Sequence, residues 1–208
     1  MKIHVLEDRL TYDGLQLSTG FFDQHGCGEE DALIVFVGEA DVPTEHMVDM
    51  EDADAGESIY SRLMAHLLIE HHAMELREAV LAQRMLVRLA AEWISARSGS
   101  SLDVQGDDLY LGDGKLSVSV ATRSGRSCLL HLGVNVDGDG APVKTSSLRD
   151  MRVSPEEFLK GLARAYASHV EHGDHAVLRT HVLPASSTRA MSAEVPSSER
   201  VATCSPRP

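Results

Sequence analysis

The segment GDDLYLGDGKLSVSVATRSGRSCLLHLGVNVD, residues 106–137, contains three runs in which polar and apolar residues alternate. Alternation with a period of two is typical of strands, because successive side chains of a strand point to opposite faces of its sheet. The predicted strands are Asp108–Leu111, Lys115–Thr122 and Cys128–Val136. The connection Gly112-Asp113-Gly114 favours a hairpin, since its Asp-Gly pair readily adopts positive φ. A second short connection, Arg123-Ser124-Gly125-Arg126, joins the last two strands, so the segment predicts an antiparallel sheet.

The N-terminal part of the chain predicts two further strands and an irregular acidic connection. Lys2–Leu6 alternates polar and apolar residues, whereas Ala32–Val37 is a continuous apolar run typical of a buried strand. The connection that follows, ADVPTEHMVDMEDADAGES, contains Pro43 and Gly56, two residue types that resist regular structure.

Residues 58–96 predict the helical layer. Apolar residues recur there at spacings of three and four, as expected for helices that bury one face. Ser58 is the predicted N-cap, and the cluster Ser98-Gly99-Ser100 predicts the end. Because a single helix of this length is unusual in a compact domain, we expect two helices that break near His71–Glu75.

The C-terminal region predicts one more helix and a tail. Ser154 followed by Pro155 and two glutamates provides an N-cap, a proline at the first position and acids in the first turn. We expect this helix to run to about Glu171 and Val177–Val182 to form a last strand. Residues 185–208 are rich in Ser, Pro and Thr, which predicts a disordered tail after a single domain of residues 1–184.

The composition limits the classes of partner. With a formal net charge of -13 and 4% aromatic residues, the chain lacks the basic and aromatic surface that nucleic-acid binding requires. Its three widely spaced cysteines predict neither a disulfide framework nor a zinc finger. No apolar run reaches membrane-spanning length, so we expect a cytoplasmic protein that does not associate with membranes. The sequence leaves the oligomeric state open.

The order of an acidic pair, a short strand, a glycine turn and a lysine in residues 106–137 resembles the core of biotin and lipoate protein ligases, whose fold is similar to class II aminoacyl-tRNA synthetases. In those ligases an Asn-Asp pair precedes the strand, and a lysine on the next strand contacts the acyl carbonyl and the adenylate phosphate. The resemblance implies that Asp107-Asp108 replace the Asn-Asp pair and that Lys115 is this lysine. Gly133-Val134-Asn135 resembles the end of a later strand of the family.

The whole chain up to the tail also resembles an uncharacterised prokaryotic family assigned to the same ligase-like fold. Four segments carry this resemblance: Asp8–Gly14, Glu45–Asp52, Gln83-Arg84 and Pro142–Thr145. It implies an α+β fold in which a mixed, mainly antiparallel sheet has helices packed on one face.

One departure from the ligases concerns the cofactor. The ligases carry an Arg- and Gly-rich loop early in the chain that wraps the adenylate, whereas here the corresponding region is acidic and contains Pro43-Thr44-Glu45-His46. Phosphoryl oxygens need cationic or backbone N–H partners. The acidic region lacks such cationic partners, so the cofactor stays unknown. Only the analogy with the ligase fold implies ATP and Mg²⁺.

Lys115 has two interpretations. A lysine on a strand beside a glycine turn can offer a point charge to a carboxylate or phosphate, or it can be a solvated residue that protects a sheet edge. Arg84, in an otherwise apolar stretch, can clamp an anion bidentately or extend its guanidinium to water.

The acidic connection also has alternatives. Its carboxylates can collect Mg²⁺, provide a general acid or base, or form a solvated loop; they belong to Glu45, Asp49, Glu51, Asp52 and Asp54. Met47, Val48 and Met50 lie between these charges and indicate a partly buried segment.

His66 and Glu70, one turn apart on the predicted helix, share a face that could present metal ligands. Structural histidines are the alternative, since no third ligand of matching spacing is evident. His131, inside an apolar strand, is predicted to be structural.

The resemblance to the ligases implies a protein that binds a small acyl or nucleotide-like ligand and that could be a ligase- or acyltransferase-like enzyme. The alternatives are a non-catalytic binding or scaffold protein that lacks the adenylation loop, and metal-dependent hydrolysis through His66 and Glu70. The predicted catalytic residues are Lys115 and Asp108. The predicted ligand-binding residues are Arg84, Asp107, Glu45, His46, Asp49 and Asn135.

Overall fold

The computed structural model describes residues 1–49, 59–125 and 127–181. A five-stranded sheet in the order β1-β2-β3-β8-β7 forms its centre. Its strands are β1 (Lys2–Val5), β2 (Ala32–Val42), β3 (Ile59–His71), β7 (Ser117–Ser124) and β8 (Ser127–Asp137). Strand β1 is parallel to β2, and the remaining neighbours are antiparallel. A smaller sheet contains β4 (Asp103–Gln105), β5 (Asp108–Leu111) and β6 (Gly114–Lys115).

Two long helices cover one face of the five-stranded sheet. They are α2 (Leu76–Ser98) and α3 (Pro155–Leu178), and they bury apolar side chains of β3 and β8 such as Leu67 and Leu132. At the end of β3, Nε2 of His71 lies 2.8 Å from the hydroxyl oxygen of Tyr166 on α3. The predicted fold class, a mainly antiparallel sheet with helices packed on one face, is confirmed.

The opposite face of the sheet is covered by the N-terminal segment, including the short helix α1 (Thr19–Gln24). Phe22 of α1 is fully buried there against Ile34, Phe36 and Leu129 of the sheet. The cavities described below lie on this side of the sheet.

The predicted first helix of residues 58–71 is wrong, because Ile59–His71 forms strand β3. β3 lies between β2 and β8 and is buried on both faces along its second half. A strand buried on both faces has no polar-apolar alternation, so its apolar residues fit a helical spacing equally well. The predicted N-cap Ser58 lies outside the described residues. The second predicted helix is confirmed as α2, which ends at Gly99 with φ of 70°.

The start of helix α3 is confirmed, and its predicted end is wrong. The Ser154 hydroxyl accepts a hydrogen bond from the Glu157 N–H at 3.3 Å, as a helix N-cap should. The helix then continues past Glu171 to Leu178, since no helix-breaking proline interrupts it. Val177 and Leu178 are therefore helical rather than the start of a strand. Val182 and the predicted tail of residues 185–208 lie outside the described residues.

The hairpin that carries Lys115 follows the prediction with one difference. Leu111 pairs with Gly114 across a two-residue loop. The positive φ, 59°, belongs to Gly112 rather than to the Asp113-Gly114 pair. A glycine at the first central position is the requirement of a type II′ hairpin turn. The strands predicted on either side are also present, with the second divided into β6 and β7.

Gly38 provides a test of the packing between the N-terminal segment and the sheet. A Cβ at Gly38 would lie 1.8 Å from the Leu10 carbonyl oxygen, whereas a Cβ at Gly173 of α3 would meet nothing within 4 Å. We expect Gly38→Ala to lower the free energy of unfolding by about 1–3 kcal/mol or more. Gly173→Ala should raise it by about 0.5–1 kcal/mol, because alanine favours helix. Urea denaturation of both variants measures the difference, and equal effects would contradict the close packing at Gly38.

Candidate ligand-binding site

Two adjoining cavities lie on the face of the sheet opposite α2 and α3. The larger has a volume of about 220 Å³ and is bounded by the N-terminal segment, β2, β5, β7 and β8. The smaller, of about 100 Å³, lies beside β3 and the segment 141–145. Ile59, Lys115 and Val118 line both cavities. Lys115 therefore lies where a ligand could reach from one cavity into the other.

The main chain of Lys115 is held by three hydrogen bonds. Its N–H donates to the Lys144 carbonyl at 2.9 Å, and its carbonyl accepts from the Ser146 N–H at 3.0 Å. The same carbonyl accepts from Nδ2 of Asn135 at 3.1 Å. This close approach requires Gly114, since a Cβ there would lie 2.9 Å from the Ser146 nitrogen. The base of the Lys115 side chain is therefore fixed by residues distant in the sequence.

The Lys115 side chain forms an ion pair with Asp108. Nζ is 2.8 Å from Oδ2, and the two side chains are 29% and 22% exposed. At this partial burial a charge pair is weakened less by solvent than one on an open surface. The pair positions the ammonium at the cavity wall.

Asp107 is positioned by a residue from the helical layer. Nε2 of the buried Gln83 on α2 donates to Asp107 Oδ2 at 3.1 Å and to the Ser119 hydroxyl at 2.8 Å. The Ser119 hydroxyl in turn donates to the Asp107 carbonyl at 2.8 Å. Gln83 thus connects α2 to the rim of the larger cavity.

The N-terminal segment supplies another wall of the larger cavity. Tyr12 forms an isolated parallel bridge with Ala40, through its N–H to the Glu39 carbonyl at 2.8 Å. Nδ1 of His46 lies 2.8 Å from the Asp13 carbonyl oxygen. Gly14 fits closely against His46, since a Cβ there would lie 3.1 Å from the His46 Cβ. These contacts give the sequence pattern Tyr12-Asp13-Gly14 a role in shaping the cavity.

A buried stack of aromatic and imidazole rings forms the floor. The rings of Tyr12 and His131 are stacked with centroids 4.0 Å apart, and His66 stacks on Phe36 at 4.7 Å. Nε2 of His131 is 3.1 Å from Nδ1 of His66. Burial lowers the pKa of His66 to about 4, although hydrogen bonding to the backbone of Gly38 and Glu39 acts to raise it. Burial and the neighbouring His66 also lower the pKa of His131, so both imidazoles are neutral near pH 7.

Several predicted site residues come together, and two do not. Those that line the larger cavity are Lys115, Asp107, Asp108, His46 and Asp49. Asn135 lines the smaller cavity, where it accepts a hydrogen bond from the Ser61 hydroxyl at 2.9 Å. Arg84 is exposed on α2 with its guanidinium near Gly106, and Glu45 is exposed on the 3-10 turn Thr44–His46. Neither belongs to the lining of the two cavities.

The acidic connection is described only as far as Asp49, and Glu51, Asp52 and Asp54 lie outside the described residues. Within the described ranges, no three His, Cys, Asp or Glu side chains are grouped to hold a metal ion. His66 and Glu70 lie on a strand instead of a helix, so four residues separate them by about 13 Å rather than by one helical turn. One Glu70 oxygen accepts from the Ser127 hydroxyl at 2.7 Å. A shared metal site of His66 and Glu70 is thus incompatible with the strand.

Sequence analysis assigned no part in ligand binding to three residues that form or support the larger cavity: Tyr12, Gln83 and His131. Tyr12 and Gln83 lie in segments that carry the family resemblance, but no role was predicted for them. His131 was predicted to be structural. His131 is buried, 4% exposed, but it lines the cavity. A polar residue in an otherwise apolar helix or strand was the available signal for Gln83 and His131.

Solved structures define the class of fold. The biotin protein ligase of Aquifex aeolicus in complex with biotin and ATP aligns with a TM-score of 0.57 at 11% identity, over 84% of this chain and 72% of the ligase chain. A candidate lipoate protein ligase from T. acidophilum with bound lipoic acid aligns with a TM-score of 0.53 at 14% identity, over 82% and 86%. The chain therefore has the fold of biotin and lipoate protein ligases.

The family is also defined. The chain belongs to the family described as a domain of unknown function, DUF366, whose model matches residues 1–181. An uncharacterised protein of Methanocaldococcus jannaschii is 32% identical over 187 residues, which cover 86% of this chain and 84% of that protein. A protein of unknown function from Pyrococcus horikoshi aligns with a TM-score of 0.83 at 28% identity, over 88% and 98% of the two chains. In the described part of the chain no helix is both long and apolar enough to cross a membrane.

The neutral imidazoles of the floor predict a pH-dependent stability. The pKa of folded His66, about 4, lies below the ordinary value of 6.5, so the unfolded chain binds more protons between these pH values. The contribution of neutral His66 to the free energy of unfolding is fully present above pH 6.5 and is lost as the pH falls towards 4. We expect His66 to account for a loss on the order of 3 kcal/mol by pH 4.

Urea denaturation at a series of pH values from 7 to 4 measures this loss. His66→Phe, which keeps a ring in the stack, should show a smaller change of stability across the series than the wild type. His169→Gln, at an exposed position of α3, is the control and should keep the wild-type change. An unaltered pH dependence in His66→Phe would exclude His66 as the titrating group.

Proposed function

We propose that this protein binds a small acyl or nucleotide-like ligand at the two adjoining cavities, with Lys115 as its principal contact. The position of Lys115 carries the proposal, because this partly buried ammonium lines both cavities. A lysine ammonium is a compact point charge that suits a carboxylate or an acyl oxygen. Its base is held by hydrogen bonds to Lys144, Ser146 and Asn135, so the charge is positioned before a ligand arrives.

Acyl transfer of the ligase or acyltransferase type is the reaction that fits this arrangement. When a nucleophile attacks the carbonyl carbon of an activated acyl donor, such as a thioester, negative charge develops on the acyl oxygen before the thiolate leaves, and a preorganised cation lowers the energy of that state. The Lys115 ammonium would stabilise this charge, while Asp108 would keep the ammonium in place through its 2.8 Å contact. The proteins of similar fold that hold biotin or lipoic acid support a ligand with an acyl group.

The described lining of the larger cavity does not fit the triphosphate of ATP. Lys115 is the sole Lys or Arg of the larger cavity's described lining, and it stands against the carboxylates of Asp49, Asp107 and Asp108. The sequence from residue 10 to residue 61 contains no Lys or Arg at all. A triphosphate needs several cationic or backbone N–H partners, and the described lining offers it one cationic side chain. We therefore derive no step through ATP.

This charge distribution favours a second candidate function, ligand binding without catalysis. A chain that kept the ligase fold and the lysine, but has an acidic connection where the ligases have an Arg- and Gly-rich loop, could still recognise the acyl ligand. The two candidates share the ligand site at Lys115 and differ in whether the acyl group is transferred. Incubation with hydroxylamine and an activated form of the bound acid, such as its thioester, separates them. A transferase accelerates hydroxamate formation and thiol release over the rate without protein, and a binding protein does not.

The binding site is tested by a thermal-shift screen of biotin, lipoate, short-chain carboxylates and nucleotides. A ligand at 100 times its Kd stabilises the folded chain by about 2.7 kcal/mol, which should raise Tm by roughly 5–10 °C. We expect this shift with wild-type protein and its loss in Lys115→Ala. Lys144→Ala is the matched control, since Lys144 is an exposed lysine whose ammonium lies 3.4 Å from Asp113. A ligand that stabilises Lys115→Ala as strongly as the wild type would remove Lys115 from the site.

A further inference from the structure

We propose that the ligand is a short-chain aliphatic acid or its acyl group, of about four to six carbon atoms, whose chain lies in the smaller cavity. This inference rests on the proposed function, because it takes Lys115 as the contact for the carboxylate or acyl oxygen. It concerns what the smaller cavity can hold next to that contact.

Apolar side chains form much of the wall of the smaller cavity. Ile59 and Met64 of β3 and Val118 of β7 line it, together with the Ala-Pro-Val segment of residues 141–143. Lys115 is the sole charged residue among the lining residues that the structure describes. Such a wall favours an occupant that brings apolar surface out of water, since a charged occupant would lose its hydration there.

The polar side chains between β3, β7 and β8 are already hydrogen-bonded within the protein. The Ser61 hydroxyl donates to Oδ1 of Asn135 at 2.9 Å, and Nδ2 of Asn135 donates to the Lys115 carbonyl at 3.1 Å. The Ser117 hydroxyl accepts from the Leu109 N–H at 2.9 Å. These groups therefore need no partner from an occupant of the cavity.

The polar side chains at the rim are engaged in the same way. The Tyr60 hydroxyl donates to Oε1 of Glu39 at 3.1 Å, and the Thr145 hydroxyl donates to the Gly138 carbonyl at 3.3 Å. Each uncharged polar side chain of the described lining thus has a hydrogen bond within the protein. An occupant without polar groups leaves none of these bonds unmade, which fits an aliphatic chain.

The larger cavity is a less suitable place for that chain. Its described lining includes the carboxylates of Asp49, Asp107 and Asp108. Methylene groups held against a carboxylate displace part of its hydration, which is unfavourable. Because Lys115 lines both cavities, a ligand whose carboxyl group contacts Lys115 can place its chain in the smaller one.

The volume of the smaller cavity limits the length of the chain. It is about 100 Å³. An apolar cavity of roughly 150 Å³ can hold benzene, so this cavity has room for about four aliphatic carbons. With the carboxyl carbon at Lys115, the whole acid has about five carbon atoms.

The burial of the wall shows where a longer chain would go. Met64 is 1% exposed, and its Cε is so close to β8 that a Cβ at Gly133 would lie 2.9 Å away. Pro142 and Val143, by contrast, are exposed. The cavity is therefore closed at Met64 and borders solvent at residues 142–143. Carbons beyond its capacity would extend into water and gain no further burial.

A series of straight-chain acids from acetate to octanoate tests the inference. NMR titration of the full chain at pH 7.5 gives the Kd of each acid. We expect each methylene up to pentanoate to tighten binding by about fourfold, because the methylene is buried. Octanoate, biotin and lipoate should bind no more than about twofold tighter than hexanoate, since their additional carbons gain no burial.

Two substitutions change the cavity in opposite directions. Met64→Ala enlarges its buried end and should shift the tightest-binding acid to a longer chain, by about two or three carbons. Ala141→Leu fills the cavity from its partly exposed side and should abolish the gain per methylene while the affinity for acetate is kept. Ala176→Leu, at an exposed position of α3, is the matched control and should keep the wild-type series.

The outcomes that overturn the inference can be told from a failure of the proposed function. If binding of the acids needs Lys115 but has the same Kd at every length, or keeps tightening to octanoate, the smaller cavity does not hold the chain and the proposed function stands. A wild-type series in folded Ala141→Leu leads to the same conclusion. If none of the acids binds, and no ligand of the thermal-shift screen depends on Lys115, the proposed function fails together with the inference.

Discussion

Strand β3 is the constraint on which the rest of the structure depends. It is the middle strand of the five-stranded sheet, and the backbone groups on both of its edges are bonded to β2 and β8. One face of β3 buries Leu67 and Ile69 under the two long helices, while the other face carries His66. Because such a strand has no solvated face, layers must cover it on both sides. The helices form one layer, and the N-terminal segment with its cavities forms the other.

The local features of the fold could be predicted from the sequence, and the central strand could not. Gly112 and Ser154 determine a turn and a helix start through their own conformations and hydrogen bonds, which nearby residues suffice to reveal. Ile59–His71 is a strand because β2 and β8 lie on either side of it, and that information is distant in the chain. Its buried polar residues, such as His66, also interrupted the apolar run and made a helical spacing look convincing.

The candidate site also contains residues that could be predicted from the sequence and residues that could not. Lys115, Asp107 and Asp108 belong to one hairpin and could be found from its sequence. The choice between the neighbours Gln83 and Arg84 could not be made, because it depends on the direction in which α2 faces the sheet. Gln83 faces inward and reaches Asp107, whereas Arg84 faces solvent. The charged residue was the more conspicuous of the two, and the amide is the one that contacts the site.

The shared wall between the two cavities has a thermodynamic consequence. Segment 141–145 lines the smaller cavity, and the Lys144 carbonyl within it accepts the hydrogen bond that holds the Lys115 main chain. A group bound in the smaller cavity would therefore contact the segment that holds Lys115, a residue that also lines the larger cavity. Linkage makes such an effect reciprocal. If an occupant of one cavity changes the affinity of the other cavity by some factor, an occupant of that other cavity changes the affinity of the first by the same factor. Under the proposed function the two cavities would form one coupled site, and a molecule that spans both would gain effective concentration from its own tether.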